Sequence, residues 1–130
     1  MKVNSNEVIP RLIKISNDLE KEWEDYLLNE YPNFDYEMNR LDYIDITLIS
    51  RFLIRKVLEQ DNYIVTKIFD EVEIILKNGS DQTKNLIVVG LLESIQNISS
   101  NLDYDYKNTF IKFLKINTKI EWERIIEEWE

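Results

Sequence analysis

The chain has 130 residues, 44% of them hydrophobic, and a formal net charge of −9; that is enough apolar material to bury a core and too much for a disordered segment. Cysteine and histidine are both absent, which excludes disulfides, thiolate zinc sites, cysteine nucleophiles and every histidine-based triad or metal cluster. A surface this acidic repels nucleic acid and anionic membranes and draws basic partners inward.

The N-terminal stretch MKVNSNEVIPRL lacks the apolar core of a signal peptide. No uncharged apolar run approaches the roughly 20 residues that cross a bilayer. The expectation is a soluble cytoplasmic protein with no membrane contact. No linker or low-complexity stretch divides the sequence, and only two Gly and two Pro punctuate it. It therefore reads as one helical domain over residues 1–130.

Over residues 6–29, Leu12, Ile15, Leu19, Trp23, Tyr26 and Leu27 recur at steps of three and four, the spacing of a helix face. Pro10 fits only a first turn, and Ser16 or Asn17 can cap a second start, so the region is either one helix or two. NEYPNFDYEMN then breaks the pattern, with Tyr31 before Pro32 biased away from helix. A second helix is expected from Tyr43 to Gln60 with Asp42 as its N-cap. Its apolar residues surround most of the circumference, which implies neighbours on more than one side.

The third helix runs from Asp61 to Gly79. Ile64, Val65, Ile68, Phe69, Val72, Ile75 and Leu76 share one arc, and Thr66, Asp70, Glu73 and Lys77 lie opposite. Glu73 and Lys77 are spaced as an i,i+4 ion pair, and Gly79 is placed as the C′ residue. NLIVVGLLESIQNISSN follows, with Ser80 or Asp81 before it as a cap. This span is too long for a strand and ordinary for a helix. Ile87, Val88, Leu91, Leu92, Ile95 and Ile98 cover one broad face. Burying each stabilises by roughly 1.5–3 kcal/mol, which outweighs the roughly 1 kcal/mol that Gly90 costs a helix.

A fifth helix holds Tyr106, Phe110, Phe113 and Leu114. A sixth begins at TKIE, where Thr118 and Glu121 match a capping box. Trp122, Ile125, Ile126 and Trp129 then form a stripe expected to dock through both tryptophans. The expected fold is all-α, five to six helices in a bundle or a short helical-repeat-like stack. The alternative is α+β, with part of residues 31–49 as a small hairpin.

No Gly-rich phosphate loop, nucleophile elbow or metal motif is present. Binding is therefore expected in place of catalysis, and no catalytic residue, metal or cofactor is assigned. Three surfaces are candidates. Leu86, Gly90, Glu93 and Asn97 project along one line of the fourth helix, where a glycine admits a close neighbour and Glu93 and Asn97 supply hydrogen bonds. Another helix of the domain is expected to fill that line; an exposed Gly90 would make it a binding groove. Asp18, Glu22 and Asp25 share a side of the first helix, with Glu20 and Glu24 beside them. Glu121, Glu123, Glu127, Glu128 and Glu130 crowd the C-terminus, where the last three oppose the helix dipole. Such faces either recognise a basic partner or are simply solvated. In NLDYDYKN, Asp103, Tyr104 and Asp105 interleave aromatic anchors with acceptors, or Tyr104 turns into the core. Lys107, Lys112, Lys115 and Lys119 form a small basic patch read as local ion pairing, not as a nucleic-acid site.

VVGLLESIQN, followed by FIKFLKINTKIEWERIIEEW, resembles a family of small, mostly helical bacterial domains. These share a central apolar helix ending in a Glu…Asn element and a C-terminal FL…T…W…I…W segment. The resemblance covers about residues 62–130 through Gly90, Glu93, Asn97, Phe113, Leu114, Trp122 and Trp129. The first 40 residues match only in being helical. Some such families look like immunity proteins encoded beside polymorphic or contact-dependent toxins. The resemblance thus implies a protein that binds and neutralises a cognate toxin, here a basic one. The alternatives are a structural or adaptor domain that self-associates into a homo-oligomer and, third, a carboxylate-dependent enzyme.

Overall fold

The computed structural model describes residues 1–129, and Glu130 of the C-terminal acidic group lies outside the described residues. A 3-10 turn at Ser5–Glu7 leads into α1 (Val8–Ile13) and α2 (Asn17–Glu30); α3 (Asp42–Asp45), α4 (Thr47–Leu58) and α5 (Asn62–Asn78) follow. Next comes one continuous helical run, composed of α6 (Asp81–Asn85), a π-helical segment (Leu86–Glu93) and α7 (Ser94–Ser99). α8 (Tyr106–Thr109), a 3-10 turn (Ile111–Phe113) and α9 (Ile116–Trp129) complete the chain. Seven α-helices among the described residues have five residues or more, against the five to six helices expected. The α+β alternative fails: among the described residues no strand forms, and the one bridge joins Val3 to Gly79.

Local chemistry explains the extra breaks. Ser16 is extended and its hydroxyl accepts from Leu19 N at 3.3 Å, so α1 and α2 are two helices. Leu41, not Asp42, occupies the N-cap of α3, and Asp45 reaches back to accept from Leu41 N at 3.1 Å. Gly79 is not a left-handed C′ residue, for its φ is −87° and its ψ 152°. It is needed for close approach instead, because a Cβ there would lie 2.7 Å from Thr83 Cγ2 and 2.8 Å from the Ile75 carbonyl oxygen. The left-handed C′ position falls after α4, at Gln60 (φ 63°), where Asp61 N returns to the Lys56 carbonyl.

The apolar arc of α5 is buried as its spacing requires, and α4 is covered on several sides by α5, the π segment and α7. α5 also touches elements from both ends of the chain, α1 and α9, which is the contact pattern of a bundle and not of a nearest-neighbour stack. No helix among the described residues is long and apolar enough to cross a membrane.

Three expectations that bear on α9 are overturned. Glu73 does not pair with Lys77, and Thr118 and Glu121 do not form a capping box. α9 starts two residues earlier, at Ile116, which puts Thr118 in the first turn. Glu73, only 5% exposed, caps this helix from α5. Its Oε2 accepts from Asn117 N (3.1 Å) and Nδ2 (2.7 Å), and its Oε1 from Thr118 N (2.9 Å) and Oγ1 (2.8 Å). Glu121 pairs with Arg124 instead. α9 docks through one tryptophan, not two. Trp122 is fully buried, its Nε1 donates to the Lys107 carbonyl at 3.2 Å, and its ring lies 5.3 Å from Phe110; Trp129 is 49% exposed.

Gly90 is buried under α3 and the residue after it. A Cβ there would lie 2.9 Å from Ile46 Cγ2 and 3.0 Å from Leu86 Cδ1. The wider π turn is supported at its end by hydroxyls: Ser94 Oγ donates to the carbonyls of Gly90 and Leu91, and Ser50 Oγ to that of Leu91. Gly90→Val should therefore destabilise the fold by about 1–3 kcal/mol through overpacking, read as a lower urea midpoint at unchanged slope.

Candidate functional site

The π turn breaks up the line Leu86–Gly90–Glu93–Asn97, which assumed regular α spacing. Gly90 faces Ile46 and Tyr43, while Glu93 comes near Glu128 of α9 and Asn97 is exposed. Burial and then the Glu128 charge push the Glu93 carboxyl above its usual range. These residues do not line one groove.

The other candidates disperse as well. Asp18 sits exposed in the first turn of α2, where the helix dipole favours it. Glu22 is ion-paired with Arg55, and Asp25 is exposed. Asp103 is exposed, and Tyr104 is half-buried with its hydroxyl 2.6 Å from Ser99 Oγ. Asp105 caps α8, accepting from Asn108 N at 3.4 Å and Nδ2 at 2.9 Å. Among the described residues, no group of three or more acidic side chains is placed to hold a metal ion.

The structure gathers a different set. Tyr31 ends α2 with φ −130° and ψ 64°, outside the helical region that the following Pro32 disfavours, and the chain folds back across the helix as residues 32–41. An aromatic knot holds this return. Trp23 stacks on Tyr26 at 5.4 Å, and Tyr36 meets Trp23 and Tyr31 edge-on at 5.4 and 5.2 Å. Arg40 lies 5.1 Å over the Tyr36 ring and pairs with Asp42.

Asp45 fastens the knot from beneath. It is 1% exposed and accepts from the Tyr26 hydroxyl, from the Tyr31 hydroxyl at 2.9 and 3.1 Å, and from Leu41 N. Burial, then the hydrogen bond to Asp45, raises both phenols, which therefore stay protonated and donate. Burial also pushes the Tyr36 phenol up to about 12.

Between α2 and the returning segment lies a groove in two adjoining parts. One, of about 360 Å³, is lined by Leu27, Leu28, Tyr31, Phe34 and Tyr36 with Glu24 and Glu37 at its edge. The other, of about 340 Å³, shares Leu27, Tyr36 and Glu37 and adds Ile13, Trp23, Lys14 and Glu20. Of the acidic residues singled out from the sequence, Glu20 and Glu24 border this groove, and Asp18, Glu22 and Asp25 do not.

Phe34 stands at the lip, 87% exposed, with a φ of 56°. A left-handed backbone costs a non-glycine residue roughly 1–2 kcal/mol, and this side chain recovers nothing by burial. Phe34→Asn should raise the stability by about 0.5–1 kcal/mol, seen as a higher melting temperature.

Periodicity could not find this site, since half of it lies in a segment with no period. Composition gave a signal: five of the fifteen aromatic residues fall between Trp23 and Tyr36, more than a single helix face can bury.

Fold and site together define a small all-α domain with an acid-rimmed aromatic groove. A family described as a domain of unknown function (DUF7674) matches residues 9–130. The chain belongs to that family, and the match takes in both the groove and the C-terminal helix. No curated protein and no solved structure is significantly similar.

Proposed function

We propose that this chain is an immunity-type protein of the bacterial cytoplasm, which binds a basic cognate toxin and neutralises it by direct contact. The observation that carries this reading is the groove along α2, an apolar surface edged by Glu20, Glu24 and Glu37 with Lys14 as its one cation. The net charge of −9 raises the rate of encounter with a basic protein, and the groove supplies the short-range anchor that charge alone lacks. Glu73 and Asp45, the two buried carboxylates among the described residues, have both oxygens engaged by donors of the chain itself. Neither is left to serve a substrate, which favours binding over acid–base catalysis.

The experiment is co-expression with the product of the adjacent gene, followed by calorimetry at low and high salt. Tight association that weakens with salt supports the proposal, and a neighbour that neither binds nor is toxic ends it. Self-association is the second reading, favoured by Ile116 and Ile120, exposed one turn apart on α9. Sedimentation that changes with concentration would select it.

A further inference from the structure

The chemistry of the groove selects its occupant, an inference that rests on the binding function just proposed. Leu27, Leu28, Tyr31 and Tyr36 give it an apolar floor, which suits one large apolar side chain and expels water from around it. Three carboxylates, Glu20, Glu24 and Glu37, against the single cation Lys14 leave the lining net negative, which complements lysine or arginine beside that side chain. Phe34 is held at the lip against its own backbone preference, the kind of local strain that function sustains. Of the large hydrophobic side chains exposed among the described residues, Leu28 (58% exposed) and Phe34 (87% exposed) both line this groove. Asp45 and the aromatic knot hold the walls in place, so little ordering accompanies binding.

We infer that the groove takes a segment of a second protein that presents one bulky aromatic or aliphatic side chain flanked by lysine or arginine. The acidic edge works against nucleic acid, and the net charge of −9 works against a second copy of this chain.

The test is an NMR titration of the full ¹⁵N-labelled chain with a synthetic peptide bearing tryptophan between two Lys-Arg pairs. Two control peptides carry serine for the tryptophan, or glutamate for the basic residues. Saturable shifts are expected at Leu28, Phe34 and Tyr36, with each control binding at least about tenfold more weakly. Phe34→Asn and the double variant Glu24→Lys/Glu37→Lys should each weaken the tryptophan peptide by about five- to tenfold, while thermal melting shows both folded. Shifts elsewhere on the acidic surface, equal binding of the serine peptide, no saturable shift, or undiminished binding by the variants would overturn the inference. If a neighbour-encoded toxin binds wild type and variants alike, the groove is the wrong surface and the immunity function stands. If the tryptophan peptide seats in the groove and the neighbour-encoded protein does not bind, the groove stands and the immunity function falls.

Discussion

Replacing Glu73 with alanine is expected to lower the stability of the fold by about 3 kcal/mol, because one carboxylate serves as the whole cap of α9. It accepts four hydrogen bonds, two of them from backbone amides in the first turn of that helix. The variant leaves those amides without a partner at a buried junction, and a charge-assisted set is lost at once. Burial alone would disfavour the ionised carboxyl. The hydrogen bonds from Thr118 and Asn117 outweigh it and hold Glu73 below its ordinary value of 4.5. A carboxyl depressed in the folded state contributes stability that is fully present above its unfolded value and is lost as pH falls through the folded one. The gap between wild type and Glu73→Gln should therefore stay constant above about pH 5 and shrink below about pH 4. Urea unfolding as a function of pH measures it. A gap that is unchanged down to pH 3 would mean that the cap does not titrate as described.

Asp45→Ala should cost about 2–4 kcal/mol and, unlike the loss of Glu73, should loosen the groove. Asp45 joins α3 to Tyr26 of α2, to Tyr31 just past its end and to the Leu41 amide, so it closes the loop formed by residues 32–41. Without it the buried Tyr31 hydroxyl has no acceptor. Faster amide exchange confined to residues 31–41, with α5 and α9 still protected, is the expected pattern. Uniform loss of protection would instead make Asp45 a global support with no special relation to the groove.

These two carboxylates mark where reading the sequence stops. α5 was legible because seven apolar residues keep one arc, and the Ser16 break because a capping side chain precedes a periodic run. The run through Gly90 was legible as helix for the same reason. Its π turn was not, since the hydroxyls that support it come partly from Ser50 on another helix. Glu73 sits among the polar positions of α5, and its spacing to Lys77 suggested a solvated ion pair. Only the arrival of α9 from more than 40 positions away turns it into a cap. Trp129 shows the reverse, for it continues the stripe of Trp122 beyond the point where α9 has anything left to cover. The groove was illegible for a related reason. One wall is a helix face with a period, and the other is a return after Tyr31-Pro32 whose path depends on Asp45 lying beneath it.

Hydrogen–deuterium exchange of the full chain, alone and with the product of the adjacent gene, tests the central claim most directly. Protection gained at residues 27–37 and diminished in Phe34→Asn is the predicted result. A bound complex in which those residues exchange as fast as in the free protein would contradict it.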